Sequence, residues 1–275
     1  MSITQAILPV AGLGTRFLPW TKVVPKEFLP IGSKPMIALL VEECIDAGIT
    51  DICFVISPGK EIIPEYFKKN KKWEEGLRAL GKADKITDLS RYDAIRFHTV
   101  YQHDQYGDGH AILQAADWVQ EEPVAILFGD DYFTGKVSGI AQLLHARHLL
   151  GSEKNGAIVA LENIPKEALS RYGIVDIEHN HPHNPRLKRI KGLVEKPDPK
   201  IAPSTLGIVG RYIIPKSTFD ILPSVKSTTV GAEIRLIDAL IKQLGTIPIY
   251  GYECEGTRID TGTPEGYRKA VQILA

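Results

Sequence analysis

The sequence has few cysteines and no excess of either charge. Three cysteines are spread over 275 residues, at Cys44, Cys53 and Cys254. An odd number of widely spaced cysteines in apolar surroundings is not a disulfide framework, and it predicts free buried thiols in a reducing compartment. Lysine and arginine together number 33, as do aspartate and glutamate. This balance gives no support for nucleic-acid binding or for attachment to a membrane surface through bulk charge.

Long apolar runs are also missing from the sequence. No run approaches the roughly 18 residues of a transmembrane helix, and the first residues lack the basic segment and apolar stretch of a secretory signal. We therefore expect a cytoplasmic protein without a membrane partner. The length suffices for a sizeable core, and no interdomain linker stands out, so we predict a single domain over residues 1–275.

Apolar runs and amphipathic helical patterns alternate through the first half of the chain, which is typical of βαβ units. Strands are expected at about residues 5–10, 52–57, 96–102, 124–128 and 156–161. Helices are expected at about residues 34–47, between 60 and 91, at 111–119 and at 139–150. From residue 172 the pattern changes to short strands and a hairpin, with His179, His181 and His183 in its turn. We predict a Rossmann-like, doubly wound α/β fold with a mixed, mostly parallel sheet and a small β-rich region.

A glycine-containing loop follows the first predicted strand. Gly12 and Gly14 leave the backbone free to turn its N–H groups toward an anion and to approach a phosphate closely. Arg16, Lys22 and Lys26 add positive charge to the same segment. Two glycines alone more often mark an ordinary turn, but with these cations the loop predicts a polyphosphate site.

Two common phosphate-binding motifs do not fit this loop. A Walker A loop would close with Gly-Lys-Ser or Gly-Lys-Thr, and this loop closes with Thr15 and Arg16. A dinucleotide fingerprint needs a third glycine that opens a helix, and the sequence Phe17-Leu18-Pro19 does not open one.

Two adjacent aspartates follow the apolar run that ends at Phe128. Asp130 and Asp131 are therefore expected at the carboxyl edge of a central strand, where ligands bind in open α/β sheets. Carboxylates beside a phosphate site suit Mg²⁺, which takes one or two carboxylates together with substrate phosphates. The alternative is that these aspartates only cap the following loop.

Taken together, the motifs resemble the sugar nucleotidyltransferases, and among them the bacterial-type UTP–glucose-1-phosphate uridylyltransferases. The resemblance covers the whole chain and keeps the family's order: AGLGTR, PKEFLP, residues 102–111, GDD, VEKP, residues 207–212 and DTG. It implies a nucleotide-diphospho-sugar transferase fold, a helical insertion at residues 60–91 and a homo-oligomer, either dimer or tetramer. The implied reaction joins UTP and glucose 1-phosphate to give UDP-glucose and pyrophosphate.

The resemblance also assigns residues to roles. The implied nucleotide-binding set is Ala11, Gly12, Leu13, Gly14, Thr15, Arg16, Lys26, Gln102 and Gly107, with Gln102 reading uracil. The implied sugar-phosphate set is Asp131, Gly173, Glu195, Lys196, Val209 and Gly210. The implied ligands of Mg²⁺ are Asp130 and Asp260, and the implied catalytic cations are Arg16, Lys26 and Lys196. His110 is interpreted as an ordinary residue at a helix N-terminus.

Three positions depart from the family pattern. Ala232 and Arg235 stand where the family commonly has aspartate and glutamine, and Asp108 stands where it commonly has an apolar residue. These departures leave a dTTP-using thymidylyltransferase open as an alternative. A non-catalytic nucleotide-sugar binding protein is a second alternative, against which the intact Lys26, Asp130, Lys196 and Asp260 argue. The histidines at 179, 181 and 183 fit a solvated turn better than a metal site.

Overall fold

The computed structural model describes residues 3–120, 123–225 and 233–274. Ala232, one of the three departures from the family pattern, lies outside these ranges. The helices are α1 Met36–Asp46, α2 Ile62–Tyr66, α3 Lys71–Ala79, α4 Asp108–Leu113, α5 Gly139–His148, α6 Ser217–Ile221, α7 Leu236–Gln243 and α8 Pro264–Leu274.

The strands follow the alternating pattern closely in the first half of the chain. They are β1 Gln5–Pro9, β2 Pro30–Ile31, β3 Lys34–Pro35, β4 Asp51–Ile56, β5 Arg96–Tyr101, β6 Val124–Leu127, β7 Asp131–Thr134, β8 Ala157–Asn163, β9 Gly173–His181, β10 Asn184–Glu195, β11 Leu206–Ile214, β12 Ile249–Glu253 and β13 Thr257–Asp260. Short 3₁₀ turns connect them, among which Thr15–Phe17 and Lys26–Phe28 bear on the site.

Nine of the described strands form one sheet in the order β5-β4-β1-β6-β11-β8-β12-β10-β9. Strands β5, β4, β1 and β6 pair in parallel, and we call them the parallel half. Strands β11, β8, β12, β10 and β9 form the mixed half, where β8 and β12 pair in parallel and the other pairings are antiparallel. The predicted mixed α/β sheet is confirmed, with most of its parallel pairing in the first half.

Helices cover both faces of the sheet, and the side chains of the strands alternate between them. In β4, Phe54 and its alternate neighbours belong to the core cluster that includes helices α1 and α5. Cys53 and Val55 belong to the cluster on the other face, with α4 and α7. This double coverage explains why every residue of β4 is buried. That the chain folds as a single domain stays a prediction.

Two helix boundaries differ from the sequence prediction. Helix α1 begins at Met36 rather than at residue 34, because Lys34 and Pro35 pair with β2 in a short hairpin. Gly48, with φ of +83°, follows the helix at its expected end. The helix expected at 111–119 begins earlier, at Asp108, and is followed by a separate 3₁₀ turn, Ala116–Trp118.

The predicted hairpin after residue 172 is confirmed, although its strands are long rather than short. Strand β9 has 9 residues and β10 has 12. The rings of His181 and His183 lie 5.8 Å apart at its tip. Across the described ranges, no three metal-ligating side chains come together there or elsewhere.

The cysteines are free thiols, as predicted. Cys44 and Cys53 are buried, and burial raises the pKa of Cys53 to about 12. Thiols of this kind are poor nucleophiles near neutral pH. Among the described residues, no helix is both long enough and apolar enough to span a membrane.

Candidate active site

A cavity of about 400 Å³ opens where β1, β5 and β6 end. It contains most of the residues predicted to bind a nucleotide, together with the first aspartate of the predicted metal pair. These lining residues are Ala11, Gly12, Leu13, Gly14, Thr15, Lys26, Gln102, Gly107 and Asp130. A smaller cavity of about 210 Å³ shares Gly14, Thr15 and Lys26 with it and adds Arg16 and Gly262. Lys22 lines neither cavity.

The glycines of the first loop have different surroundings. Gly14 has φ of +65°, and its carbonyl oxygen accepts a hydrogen bond from Thr21 Oγ1 at 2.8 Å. A Cβ at Gly14 would lie 3.0 Å from the Thr21 side chain, so both the backbone conformation and the space favour glycine. At Gly12 no atom lies within 4 Å of the same position. The backbone at Gly12 is therefore open to an incoming group.

Lys26 and Asp130 form an ion pair beside this loop. The ammonium of Lys26 lies 2.7 Å from Asp130 Oδ2, and both side chains are partly buried. Burial alone would lower the pKa of Lys26, but the carboxylates of Asp130 and Glu27 together outweigh burial and raise that pKa. Burial likewise opposes ionisation of Asp130, yet the Lys26 ammonium holds its pKa below the usual range. Both groups are therefore charged at neutral pH.

Asp260 brings a second carboxylate to the same place. It ends β13, which pairs with β7 so that Asp260 stands opposite Asp131. A Cβ at Gly262 would lie 2.8 Å from Asp130 Oδ2 and 3.0 Å from Asp260 Oδ1. The two carboxylates thus face one small space that glycine keeps free. Two carboxylate oxygens beside a phosphate-sized cavity fit a hard divalent cation, which completes its coordination with water and phosphate.

Arg16 also contacts Gly262. Its Nη1 donates to the carbonyl oxygen of Gly262 at 3.3 Å. The structure therefore brings Arg16, Lys26, Asp130 and Asp260, which come from separate parts of the chain, together around Gly262. The roles that the resemblance implies for them stay predictions.

Asp131 points away from this space, toward the mixed half. Its Oδ2 accepts from the backbone N–H of Gly210 at 2.9 Å, and its Oδ1 accepts from Arg258 Nη1 at 3.0 Å. A Cβ at Gly210 would overlap Asp131 Oδ2, which explains the glycine there. Burial raises the pKa of Asp131 to about 6, although Arg258 opposes the shift.

Glu195 and Lys196 stand at the end of β10. Glu195 lies opposite Gly173 in the strand register, and its Oε1 is 3.4 Å from the Lys196 ammonium. Lys196 has φ of +48°, its backbone N–H donates to Tyr172, and 55% of its side chain is exposed. Val209 lies in β11 with its side chain in the hydrophobic core, so only its backbone faces outward.

Gln102 is buried at the end of β5, with 2% of its surface exposed. Its Nε2 lies 3.0 Å from the carbonyl oxygen of Gly107 and 3.0 Å from His110 Nδ1. The amide nitrogen is therefore engaged within the protein, and the amide oxygen is the atom left to a ligand. His110 lies in the first turn of α4, as expected.

The base loop, which we define as residues 106–109, packs against residues 234–236. Gly107 has φ of +97°, and a Cβ there would lie 2.5 Å from the carbonyl oxygen of Ile234. Asp108 Oδ1 accepts from the backbone N–H of Leu236 at 2.8 Å. Asp108 is open to the cavity, yet its depth in the protein raises its pKa to about 6. Two departures from the family pattern, Asp108 and Arg235, therefore lie close together.

Residues 5–275 match the family described as nucleotidyl transferase. The chain belongs to the nucleotidyl transferase family. It is 38% identical over 265 residues to a UTP–glucose-1-phosphate uridylyltransferase of Komagataeibacter xylinus, a match that covers 95% of this chain and 90% of that protein.

Solved structures agree with this family. The chain is similar to a UDP-glucose pyrophosphorylase complexed with UDP-glucose, with 33% identity, a TM-score of 0.83 and 98% of each chain covered. It is also similar to a UTP-bound UGPase from Acinetobacter baumannii, with 33% identity and a TM-score of 0.87 over 98% of this chain and 93% of that one.

A buried lysine beneath the first loop of this nucleotidyl transferase was not predicted from the sequence. Lys60 donates to the carbonyl oxygens of Val10 and Gly12 at 2.7 and 2.6 Å, and to Glu27 at 3.0 Å. Lys60 is 7% exposed and Glu27 is 1% exposed. The ammonium thus ties the loop to the segment that carries Lys26. Glu27 lies within the PKEFLP motif, which was the one available signal.

A second buried pair, also missed, lies beneath Asp131. Arg211 is fully buried and contacts both carboxylate oxygens of Glu43, at 2.9 and 2.7 Å. It also donates to the carbonyl oxygens of Gly210 and Asp131, at 2.9 and 2.7 Å. Arg211 therefore fixes the backbone at both residues. An arginine inside an otherwise apolar strand was the signal that could have identified it.

Proposed function

We propose that this nucleotidyl transferase transfers UMP from UTP to glucose 1-phosphate, which yields UDP-glucose and pyrophosphate. One observation carries the proposal. A single cavity is lined by the first loop, Lys26, Gln102 and Asp130. In the adjoining mixed half, strand β10 ends at Glu195, and Lys196 follows it. The printed names of the similar proteins support the choice of UTP and of glucose as the sugar.

On this proposal, the parallel half binds the nucleotide. The backbone of residues 11–15 takes the triphosphate, while Arg16 and Lys26 neutralise charge that grows as pyrophosphate leaves. Gln102 presents its amide oxygen to the N3–H of uracil. The backbone of Ala11 and Gly12 completes the reading of the base, and Gly107 allows the base loop to approach it.

The mixed half binds the sugar phosphate. Lys196 aligns the attacking phosphate, and its exposure leaves the ammonium free to move onto that group. Glu195 and Asp131 accept hydrogen bonds from sugar hydroxyls. Gly173, Gly210 and Val209 complete the proposed sugar site, where the space beside Gly173 is filled by Ile237 and the space beside Gly210 by Asp131.

We assign Asp130 and Asp260 as the residues that hold Mg²⁺. The ion supplies charge neutralisation at the phosphates when it is bound. Lys26 contacts Asp130 at Oδ2 and therefore lies beside the place proposed for the ion.

The reaction needs no covalent enzyme intermediate. An oxygen of the sugar phosphate attacks the α-phosphorus of UTP, and the bond to the β-phosphate oxygen breaks as pyrophosphate departs in line. The enzyme contributes positioning and charge neutralisation. The buried thiols of Cys44 and Cys53 agree with a mechanism that uses no cysteine. A cytoplasmic location and a homo-oligomeric state stay predictions.

The test is pyrophosphate release across four nucleoside triphosphates and several hexose 1-phosphates, with and without a chelator. We expect turnover with UTP and glucose 1-phosphate that the chelator abolishes. Asp130→Asn and Asp260→Asn should each lose most of the rate with the fold intact. Asp46→Asn, a carboxylate at the exposed end of α1, is the matched control. Near-normal rates in both site variants at saturating Mg²⁺ would refute the ligand assignment.

A further inference from the structure

Arg235 lies at the start of α7, and its guanidinium contacts two carboxylates. Nε and Nη2 donate to Asp238 at 2.8 and 3.1 Å. Nη1 donates to Glu195 Oε1 at 3.2 Å. The paired bonds to Asp238 fix the plane of the guanidinium, as a two-pronged contact between arginine and a carboxylate does. The donor that reaches Glu195 therefore has a fixed position.

Glu195 is held at one of its two oxygens. The guanidinium of Arg235 and the ammonium of Lys196 both lie closest to Oε1, at 3.2 and 3.4 Å. Oε2 faces Gly173, where a Cβ would lie 3.2 Å from it. The side chain of Ile237 fills the space at this glycine. Among the residues that the structure describes, both cations lie at Oε1 and no donor is bonded to Oε2, so Oε2 is the oxygen that remains for a sugar hydroxyl.

The residues on both sides of Arg235 are bonded to the base loop. The N–H of Ile234 donates to the carbonyl oxygen of Tyr106 at 2.7 Å, and the N–H of Gly109 donates to the carbonyl oxygen of Ile234 at 2.9 Å. The N–H of Leu236 donates to Asp108 Oδ1 at 2.8 Å. Arg235 therefore connects the loop on the nucleotide side to the carboxylate at the end of β10.

We propose that Arg235 is a positioning residue that holds Glu195 at a fixed place relative to the base loop and so sets the selectivity among hexose 1-phosphates. The inference rests on the proposed function, in which Glu195 binds the sugar. Arg235 acts through Glu195, because its own donors are directed at protein carboxylates. A carboxylate with one fixed oxygen discriminates better between hydroxyl configurations than a mobile one, since only the correct epimer finds its partner in place.

The test is Arg235→Gln, which cannot span Asp238 and Glu195 together. We expect the KM for glucose 1-phosphate to rise about tenfold, as for one lost charged hydrogen bond, while the KM for UTP changes less than about twofold. The preference in kcat/KM for glucose 1-phosphate over galactose and mannose 1-phosphate should narrow by a similar factor. Arg235→Lys should recover part of both effects.

Two further variants keep the test decisive. Asp238→Asn weakens the other anchor of Arg235, so it should shift the same two quantities in the same direction by a smaller factor. Arg189→Gln removes an arginine of β10 whose partner is Glu153, outside the site, and should shift neither. An unchanged epimer preference in Arg235→Gln, or equal rises in both KM values, would overturn the inference. A wild-type enzyme inactive with UTP and glucose 1-phosphate would instead refute the proposed function.

Discussion

The two halves of the sheet supply the site in different ways. In the parallel half, the site residues come from loops beyond the carboxyl ends of strands, such as residues 11–15 after β1 and the base loop after β5. In the mixed half, and in the separate two-stranded sheet of β7 and β13 beside it, they come from the strands themselves, as with Glu195 in β10 and Asp131 in β7. Each half has its own buried ion pair, Lys60 with Glu27 and Arg211 with Glu43.

The two pairs solve different problems. A loop has unpaired backbone carbonyl oxygens, and Lys60 satisfies two of them with one ammonium. Arg211 likewise donates to two backbone carbonyl oxygens, those of Gly210 and Asp131, but here a carboxylate side chain must also be held in place. Arg211 and Arg258 do this around Asp131, one at its backbone and the other at its side chain. Loss of either ion pair should therefore damage one substrate site more than the other.

The largest expected effects come from breaking these pairs. Lys60→Met and Arg211→Met should each lower the free energy of unfolding by about 3–5 kcal/mol, because each leaves a buried carboxylate without its partner. Lys60→Met should then raise the KM for UTP, and Arg211→Met the KM for glucose 1-phosphate. Urea unfolding and steady-state kinetics below the transition measure both.

The control for these variants is Lys68→Met, which removes an exposed pair with Glu65 on the surface. It should change stability by less than about 0.5 kcal/mol. If Lys60→Met and Arg211→Met affected both KM values alike, the division of the site between the two halves would be wrong.

The next effect concerns the two lysines that face the phosphates. Lys26→Ala should lose about 2–4 kcal/mol of transition-state stabilisation, or two to three decades in kcat/KM, because a preorganised cation is removed from the reacting phosphates. Lys196→Ala should lose rate and also raise the KM for the sugar phosphate, since that contact exists before reaction. Stopped assays in which each substrate is varied in turn separate the loss of rate from the rise in KM. If Lys196→Ala kept the wild-type kcat and the wild-type KM for the sugar phosphate, the assignment of Lys196 to that phosphate would be contradicted.

The parallel half was the easier half to predict. Its first loop carries glycines and cations in a short stretch, so a phosphate site around residues 11–16 and Lys26 could be predicted from the local sequence. Alternation of apolar runs likewise predicted the strands of that half. The boundaries that failed, at Met36 and at Asp108, depend on a hairpin and on a glycine turn whose effect is visible only in three dimensions.

The rest of the site depends on long-range pairing that a sequence does not display. Asp260 reaches Asp130 only because β13 pairs with β7, and Glu195 meets Arg235 only because α7 packs beside β10. The buried pairs were missed for the same reason, since Lys60 and Glu27 are 33 positions apart and Arg211 and Glu43 are 168 apart. Asp260 and Glu195 were predicted only from the resemblance to a family and not from physical reasoning on single segments, and their roles stay predictions.

Base choice is a smaller effect, and it tests the parallel half alone. Uracil and thymine present the same edge to Gln102 and differ by one methyl group, so discrimination depends on how closely Gly107 and Asp108 approach the ring. A distinction of one methyl is worth about 1–3 kcal/mol, or ten- to two-hundred-fold. We expect UTP to be preferred over dTTP, although dTTP should still react, and we expect purine triphosphates to react poorly. A kcat/KM that favours dTTP would reverse the base assignment and leave the phosphate site unaffected.

The smallest expected effect concerns Asp108, at the junction of the two halves. Its depth in the protein raises its pKa to about 6, while the N–H groups of Leu236 and Gly109 and the charge of Arg235 act against the shift, and Glu195 adds to it. In the unfolded chain an aspartate titrates near 3.9. The folded protein therefore holds this proton more tightly, and the stability that the proton contributes is present below about pH 4 and lost as the pH rises through about 6.

Asp108→Asn stays neutral and can still accept from Leu236, so the variant should gain stability relative to wild type as the pH rises from 4.5 to 7.5. Because Asp108 is open to the cavity, we expect a gain of only about 0.5–1 kcal/mol. Asp51 is the control of opposite sign: burial acts against its ionisation, but Arg96 and Thr50 outweigh burial and lower its pKa. The stability that ionised Asp51 contributes is present above the pKa of the unfolded chain and is lost as the pH falls. Asp51→Asn should therefore lose most stability relative to wild type at neutral pH. Urea unfolding of wild type, Asp108→Asn and Asp51→Asn at both pH values measures these differences in the free energy of unfolding. If the stability gain of Asp108→Asn over wild type became smaller as the pH rose, the raised pKa of Asp108 would be contradicted.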